Sequence, residues 1–305
     1  MSPCRLVTFG VILDDLVFPD GRTAMGVLGG GGPQTAFGMR LPALAGWSDV
    51  SVGLVAGVGR DLPDSARAWM ESAGIDLTGI QVSDLPTPRA WQLMEADGRR
   101  TQVWRVKSDV IGAQLRRTLD RIPTNYRPAQ GFHLGVHPDE PDLEFIQHLR
   151  ETGSPTISLE LFKPAERLPS DVSLRSLCSV ADIFSPNLLE ARSLVGEGAP
   201  DEIARRLSDA GARIVALRMG ADGSLVHDGA QLYHVPAVRT TVVDPTGAGN
   251  AYCGGFLAGY VLTGNALTAA RYGAVAASFM VEQVGLPPIN DRLREEANRR
   301  RTFDI

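Results

Sequence analysis

The stretch VDPTGAGNAYCGGF, residues 243–256, is the most informative part of this chain of 305 residues. It begins like a β-strand, passes through the small residues Gly247, Ala248 and Gly249, and continues with the apolar spacing of a helix. Small residues leave the backbone N–H groups at a helix start open, and the helix dipole places positive charge there. The stretch therefore predicts a strand, a glycine turn and a helix start that can hold an anionic phosphoryl group without a lysine. The same glycines also suit close packing of a helix against a sheet, and the motif alone leaves both interpretations open.

The segments before this stretch alternate between apolar strands and amphipathic helices. From residue 131 the strands GFHLGVH, TISLEL and DIFSPN are separated by helical segments, and SVGLVAGV at 51–58 leads into a helix that stops at Gly74. Repetition of this unit predicts an α/β fold whose mostly parallel sheet carries helices on both faces. Two apolar helices are expected after residue 248, and the tail from residue 290 is expected to be a charged, solvated helix.

Two other segments depart from this alternation. Residues 5–13 (RLVTFGVIL) predict one buried strand that ends in Asp14 and Asp15, followed by a polar excursion and a run of four glycines before a helix. Residues 86–107 alternate between apolar and polar side chains around Asp97-Gly98, which predicts a half-exposed hairpin.

Composition narrows the class of protein. Hydrophobic residues make up 44% of the chain and charged residues 21%, which indicates a globular protein with a large core. A formal net charge of −5 argues against nucleic acid as a partner, and with only Lys107 and Lys163 as lysines no P-loop can be written. Three distant cysteines indicate buried thiols in a reducing compartment. The start lacks a signal peptide pattern and no apolar run approaches a membrane span, so we expect a full-length cytoplasmic protein without membrane contact.

Residues 244–256 resemble the D-T-x-G-A-G-D-x-F-x-G-G-F signature of the ribokinase-like PfkB carbohydrate kinase family. Further resemblances to family motifs occur in the family's order at four other places: 57–61 (GVGRD), 71–75 (ESAGI), 185–190 (SPNLLE) and 219–224 (MGADGS). The resemblance implies a single ribokinase-like α/β domain over residues 1–305. It also implies a small β lid, formed by residues of roughly 12–24 and 86–107, that covers the acceptor and through which two chains can form a homodimer.

The resemblance implies binding residues by position for the acceptor. Asp15 matches the acidic residue that binds acceptor hydroxyls, and Gly31 and Gly32 lie in the di-glycine acceptor loop. The asparagine that follows this loop in the family is missing, with Thr35 or Gln34 nearest. The acceptor can therefore differ from ribose.

For the nucleotide side the resemblance implies ATP with Mg²⁺, and five residues: Asn187, Glu190, Arg218, Gly220 and Gly223. Glu190 would act on magnesium through water. Arg218 stands where the family has threonine, and it fits either charge pairing with a polyphosphate or plain solvation on a loop. The resemblance places Asp244 near a site for a monovalent cation such as K⁺, and Asp244 fits equally a helix-capping carboxylate.

The expected catalytic aspartate is replaced by Asn250. An amide does not accept a hydroxyl proton as a carboxylate does, and losing a general base costs about 10²- to 10⁴-fold in rate. Four other residues could supply a base from other strand ends: Asp14, Asp15, Glu160 and His137. The asparagine also resembles the branch of the family typified by the fungal Mak32-like proteins.

Three functional interpretations remain. The first is an ATP-dependent kinase for a small sugar, polyol or nucleoside, weakened or altered at Asn250. The second is a pseudokinase that binds nucleotide or metabolite as a regulator, and the third is a scaffold that has lost its ligands. The retained glycines at 30–32 and 247–249 argue against the third interpretation. His133 lies where the family places acceptor-side residues, although its spacing also fits a hydrogen-bonded core histidine.

Overall fold

The computed structural model describes residues 4–95 and 100–301, and it confirms the predicted α/β fold with a central, mostly parallel sheet. The strands in this part of the chain are β1 (Leu6–Phe9), β2 (Ile12–Val17), β3 (Thr23–Gly29), β4 (Val52–Gly59), β5 (Ile75–Asp76), β6 (Ile80–Ser83), β7 (Arg89–Met94), β8 (Arg100–Trp104), β9 (Gly131–Val136), β10 (Thr156–Leu161), β11 (Ile183–Phe184), β12 (Ile214–Arg218), β13 (Ser224–His227) and β14 (Leu232–Val235). The helices are α1 (Gly31–Leu44), α2 (Asp64–Ser72), α3 (Ser108–Leu115), α4 (Leu143–Glu151), α5 (Asp171–Ser179), α6 (Leu188–Val195), α7 (Pro200–Asp209), α8 (Ala248–Thr263), α9 (Ala266–Met280) and α10 (Asp291–Arg301).

The large sheet has ten strands in the order β14-β13-β12-β11-β10-β9-β1-β4-β5, with β6 also paired to β4. Its strands are parallel from β5 to β12, and β13 and β14 continue it as an antiparallel edge. Because parallel strands end at one edge, the residues that follow β1, β10, β11 and β12 lie near one another. This edge carries the polar side chains described below.

A second sheet of four strands, β3-β2-β7-β8, is built from the two segments that depart from the strand–helix alternation. The prediction of one strand over residues 5–13 is wrong, because Gly10 has φ 85° and divides the run into β1 in the large sheet and β2 in the small one. Asp14 and Asp15 consequently lie in the middle of β2 rather than at a strand end. The antiparallel pair β7 and β8 is present as expected, while the Asp97-Gly98 turn lies outside the described residues.

The core lies on both faces of the large sheet. Alternate residues of β9 and β10 point to opposite faces, so Phe132 and Leu159 pack with α4–α7 while His133 and Ser158 face α8. On the second face the strands pack against α1, α2, α8 and α9. The polar residues on the α8 face therefore sit inside a core layer, where each of them needs a partner.

Helices α1 and α8 approach each other backbone to backbone. A Cβ added to Gly38 would lie 2.1 Å from the carbonyl oxygen of Ala251, and one added to Gly254 would lie 2.0 Å from that of Thr35. Only glycine fits at these two positions, so the close packing depends on them. This contact fixes the start of α8 relative to the start of α1.

The C-terminal helix α10 is only partly solvated, contrary to the expectation of a solvated tail. Leu293 and Ala297 are buried against α1 and α9, and Arg300 bonds Ser278 and Glu282. Within residues 4–95 and 100–301 no helix combines the length and the apolar character needed to cross a membrane.

Candidate functional site

The start of α8 has the geometry predicted from its glycines. Gly247 caps the helix with φ 81°, a left-handed conformation that favours glycine. The N–H of Ala248 donates to the carbonyl of Pro245 at 3.2 Å. For the N–H groups of Gly249 and Asn250 no protein acceptor is found in the part of the chain that the structure describes. Unpaired N–H groups in the first turn of a sixteen-residue helix favour an anion.

The side chain of Asn250 lies between Gln34 of α1 and Glu160 of β10. One polar atom of its amide lies 2.5 Å from a side-chain atom of Gln34. The other polar atom, when it is the nitrogen, lies 2.5 Å from Glu160 Oε1. A carboxylate only accepts hydrogen bonds, so the amide nitrogen belongs on the Glu160 side and donates to it. Asn250 thus connects the start of α1 to a buried carboxylate.

Glu160 is the centre of a buried polar cluster beneath α8. Its Oε1 lies 3.2 Å from His133 Nε2, and the thiol of Cys253 donates to its Oε2 at 3.6 Å. The other ring nitrogen of His133 bonds Ser158 at 2.9 Å, which agrees with a hydrogen-bonded core histidine. Burial alone would raise the pKa of Glu160, but Arg218 and then His133 hold that pKa below its usual value. These two neighbours therefore favour the charged form of Glu160.

Arg218 lies at the end of β12 and links two buried carboxylates. Its Nη2 lies 3.2 Å from Glu160 and 3.4 Å from Glu190, and its Nε donates to the carbonyl of Ser185. The side chain is 13% exposed, so it is not solvated on a loop. A Cβ added to Gly249 would lie 1.9 Å from Arg218 Nη1, which shows that the guanidinium contacts the start of α8. A planar cation at this place can bind a phosphate held by the helix start.

Asn187 and Glu190 form a capping box at the start of α6. Asn187 Oδ1 accepts from the N–H of Glu190, and Glu190 Oε2 accepts from the N–H of Asn187. Burial raises the pKa of Glu190 even though Arg218 and the Asn187 amide lower it. Asn187 and Glu190, which were predicted on the nucleotide side, thus also cap α6. Both lie close to Arg218.

Three further predicted residues surround this edge of the sheet. Gly220 and Gly223 both have positive φ and shape the turn after β12, and a Cβ on Gly223 would lie 2.1 Å from the carbonyl of Val235. Asp244 does not cap α8. Its Oδ1 accepts from the amide and hydroxyl of Thr246, and its buried Oδ2 has no partner in the described part of the chain. A buried carboxylate oxygen without a donor fits a bound cation.

The glycine run at the start of α1 is closer to the helix than predicted. Gly31 and Gly32 lie in the first turn, and only Gly31 has open space at its Cβ position. Gly32 packs against the carbonyl of Gly10, so it serves close contact with the end of β1, and its predicted role toward the acceptor stays a prediction. Thr35 is fully buried and its hydroxyl has no described partner, whereas Gln34 contacts Asn250. Between the two alternatives for the missing asparagine, the structure places Gln34 at the site.

Asp15 lies on the small sheet and is fully buried. It accepts from Arg89 Nε and Nη2, both at 2.7 Å, from Arg105, and from the N–H of Gly26 at 2.8 Å. Burial opposes its charge, but the two arginines lower its pKa to about 2. Its proposed contact with acceptor hydroxyls stays a prediction, because these partners already hold both oxygens.

Asp14 points to the other face of β2, toward the glycine run. Gln92 donates to its Oδ1 at 2.8 Å, and a Cβ on Gly29 would lie 1.9 Å from its Oδ2. Burial raises the pKa of Asp14 to about 6, because its effect outweighs that of Gln92, Arg100 and the Gly30 amide, which lower the pKa. The folded state therefore binds this proton more tightly than the unfolded state does.

Replacing Asp14 with asparagine should stabilise the protein at neutral pH. A raised pKa means that stability is highest below the ordinary value of 3.8 and is lost as pH rises through about 6. We expect Asp14→Asn to raise the free energy of unfolding by about 2 kcal/mol at pH 7.5 and by close to nothing at pH 4. Urea unfolding at both pH values measures this, with the exposed Asp20→Asn as the matched control. Equal effects of Asp14→Asn at both pH values would contradict the prediction.

Two alternative uses of the buried cluster are unfavourable. Ligand atoms of His133, Glu160 and Cys253 lie within 4.8 Å of one another, yet a metal ion there would face the guanidinium of Arg218 bound to the same carboxylate. The order Ser158–His133–Glu160 resembles a hydrolase triad, but Ser158 is fully buried and cannot reach a substrate. His137 is not part of the cluster and contacts Asp139.

A separate cavity of about 540 Å³ lies between α9, α10 and the segment after β14. It is lined by residues that include Trp47, Val238, Arg239, Arg271, Tyr272 and Arg301. None of the residues around the start of α8 lines it, so it has no part in the site described here.

The three contacts that define the site were outside the reach of sequence motifs. These are Asn250 to Glu160, Asn250 to Gln34, and Arg218 to the pair of glutamates. The available signal for Glu160 was its charge, because it lies on the inner face of TISLEL, a predicted core strand.

Comparisons with known proteins show the family and the fold of the chain. The model of the pfkB family carbohydrate kinases matches residues 29–291. The chain is 32% identical over 266 residues to a cytidine kinase of Thermococcus kodakarensis, covering 84% of this chain and 88% of that protein. It is 31% identical over 252 residues to an ATP-dependent ribose-1-phosphate kinase of Halopiger xanaduensis, covering 77% and 79%. The crystal structure of aminoimidazole riboside kinase from Salmonella enterica, in complex with aminoimidazole riboside and an ATP analog, superposes with a TM-score of 0.76 at 17% identity, covering 97% of this chain and 100% of that one.

Proposed function

The chain belongs to the PfkB family of carbohydrate kinases, and from this we propose that it transfers the γ-phosphoryl group of ATP to a hydroxyl of a small sugar, polyol or nucleoside. The observation that carries the proposal is the start of α8, where the N–H groups of Gly249 and Asn250 have no acceptor among the described residues and the guanidinium of Arg218 lies alongside. Phosphoryl transfer needs mainly positioning and charge neutralisation, and this arrangement supplies both for a γ-phosphate.

The acceptor would lie between the start of α1 and the four-stranded sheet. Gln34 supports this placement because it lies on the side of Asn250 opposite Glu160, and Gly31, one helical turn earlier, has open space at its Cβ position. Relatives that act on a nucleoside and on a ribose phosphate support a ribose-containing acceptor. The small sheet would act as the lid, and Asp15 would hold hydroxyls once a ligand replaces one of its arginines. Pairing of two chains through this sheet and a cytoplasmic location stay predictions.

The nucleotide would lie along Arg218, Gly220 and Gly223, with Asn187 and Glu190 beside its phosphates. The acidic character and burial of Glu190 fit a water-mediated role toward magnesium, which when bound would neutralise charge on the transferring phosphates. The unpartnered Oδ2 of Asp244 fits a monovalent cation such as K⁺.

The test of the proposal is turnover with a set of acceptors. Incubation of the protein with ATP and Mg²⁺ should convert at least one acceptor among cytidine, other nucleosides, ribose 1-phosphate and simple sugars to a product heavier by one phosphoryl group, as measured by mass spectrometry. Chelation of the divalent cation should abolish the product because charge on the transferring group is then not neutralised. Samples without acceptor are the control for ATP hydrolysis. Absence of any phosphorylated product across the set would contradict the proposal.

One observation favours a second candidate, a nucleotide-binding regulator without phosphotransfer. Asn250 offers an amide where a carboxylate is expected, and the two remaining carboxylates are already paired with Arg218. This candidate predicts that ATP raises the melting temperature while no acceptor is phosphorylated.

A further inference from the structure

The proposed reaction needs a proton acceptor near the α8 start, and Glu160 is the carboxylate found there. Of the four residues that could replace the missing base, Asp15 is bound by Arg89 and Arg105, Asp14 contacts Gln92, and His137 contacts Asp139. Glu160 is also paired, with Arg218, but its side chain contacts Asn250 directly.

We propose that Glu160 is the catalytic base of this enzyme and that Asn250 holds the acceptor hydroxyl next to it. The inference rests on the proposed function. An oxygen bound by the Asn250 amide lies about 5 Å or less from Glu160, a gap that one water or a small rotation closes. In the step, the acceptor oxygen forms a bond to the γ-phosphorus and its proton passes to Glu160. The bond from that phosphorus to the β–γ bridging oxygen breaks, and its electron pair leaves with ADP.

Asparagine at position 250 is required by the carboxylate behind it. An aspartate at this place would put two carboxylates about 2.5 Å apart, in the position where the Asn250 nitrogen now donates to Glu160. Like charges at that distance in a buried site force one group to take up a proton. Asn250 thus places an amide where a carboxylate is expected, and Glu160 keeps a negative charge in the site.

The charged and titratable groups that face Glu160 come from three elements. His133 approaches from β9, Arg218 from β12 and Cys253 from α8, while Glu190 of α6 shares the guanidinium of Arg218. A γ-phosphate at the start of α8 would compete for the same guanidinium, because Arg218 also contacts Gly249. As Arg218 turns to the phosphate, Glu160 loses its strongest cationic neighbour and becomes a better proton acceptor. The base would thus be released only when nucleotide is bound.

The first test is Glu160→Gln with Cys253→Ala as the matched control. Cys253 contacts Glu160 Oε2 but has no part in the step, so its variant reports the effect of disturbing the packing. With the best acceptor and saturating ATP and Mg²⁺, Glu160→Gln should lower kcat about 10²- to 10⁴-fold with little change in the KM for ATP. Cys253→Ala should keep kcat within about threefold of the wild type. Thermal unfolding with and without ATP shows whether each variant is folded and binds nucleotide.

The second test moves the carboxylate. Asn250→Asp alone should lower kcat because the two acids share one proton, whereas Asn250→Asp combined with Glu160→Gln should recover at least about tenfold over Glu160→Gln. Together with the loss from Asn250→Asp alone, this recovery shows that the site works with one carboxylate and one amide and fails with two carboxylates.

The outcomes separate this inference from the proposed function. A wild type without turnover on any acceptor overturns the proposed function, and the inference falls with it. A wild type with turnover whose folded Glu160→Gln variant keeps full kcat overturns the inference and leaves the proposed function standing. An increase in kcat from Asn250→Asp alone also overturns the inference, because it would show that Glu160 does not carry the charge of the site.

Discussion

Replacing Arg218 with methionine should lower the free energy of unfolding by about 3–5 kcal/mol at pH 7.5, since two buried carboxylates then lose their cation. Arg218 is 13% exposed, and its Nη2 lies 3.2 Å from Glu160 and 3.4 Å from Glu190. Among the described residues, no other guanidinium or ammonium group forms an ion pair with these two acids. Methionine keeps most of the apolar stem and removes the charge. Urea unfolding of wild type and variant measures the loss.

The pH dependence of this loss identifies its cause. Without Arg218 the pKa values of both glutamates should rise in the folded state, so the stability loss should be largest above pH 7 and should shrink as pH falls and the acids take up protons. Arg213→Met is the matched control on the residue before β12, because Arg213 is 68% exposed and lies 3.7 Å from Asp182. It should change stability by about 0.5 kcal/mol or less. A loss for Arg218→Met that is the same at pH 5 and pH 8 would contradict the electrostatic explanation.

Replacing Gly247 with alanine should abolish most activity. The residue caps α8 at φ 81°, and its Cβ would lie 2.5 Å from the Gln34 amide carbon. The substitution should therefore strain the backbone and displace Gln34, which holds Asn250. Losing the alignment of the phosphate-binding amides should lower kcat/KM about 10²- to 10³-fold, and stability should fall by about 1–3 kcal/mol.

Gly264→Ala separates the two effects of that substitution. Gly264 caps the other end of α8 at φ 65°, and nothing lies within 4 Å of its Cβ position. It should lose about 1–2 kcal/mol of stability from the left-handed backbone alone and keep its steady-state activity. If Gly264→Ala reduces kcat/KM as strongly as Gly247→Ala, general loss of helix stability rather than the contact with Gln34 is responsible.

Most of the fold could be predicted because its signals are local. From residue 131 onward, each apolar strand and amphipathic helix can be predicted from a few consecutive residues. The structure has β9, β10 and α8 where these predictions place them. The division at Gly10 was missed because a glycine within an apolar run gives no local sign that the chain leaves one sheet and joins another. The buried face of α10 was missed because Leu293 and Ala297 are two apolar residues in a highly charged helix.

The site was predictable only where a short motif fixes the backbone. The left-handed Gly247 and the unpaired amides after it follow from the residues of a single turn. The partners of Arg218 are 28 and 58 residues away in the chain, and no motif links them. Glu160 could be named as one of four candidates, but its contact with Asn250 depends on how β10 and α8 are stacked, which is a property of the whole core.

The glycine contacts between α1 and α8 decide which parts of the molecule can adapt. At Gly38 and Gly254 the two helices have no side-chain layer between them that could slide or repack. The starts of α1 and α8 must therefore move as one unit. Under the proposed function, ligands would enter and leave through hinge movement of the four-stranded sheet, whose strands β2 and β3 join the body through Gly10 and Gly30, both at positive φ. Changes in acceptor preference would then accumulate in that sheet while the two helix starts keep their geometry.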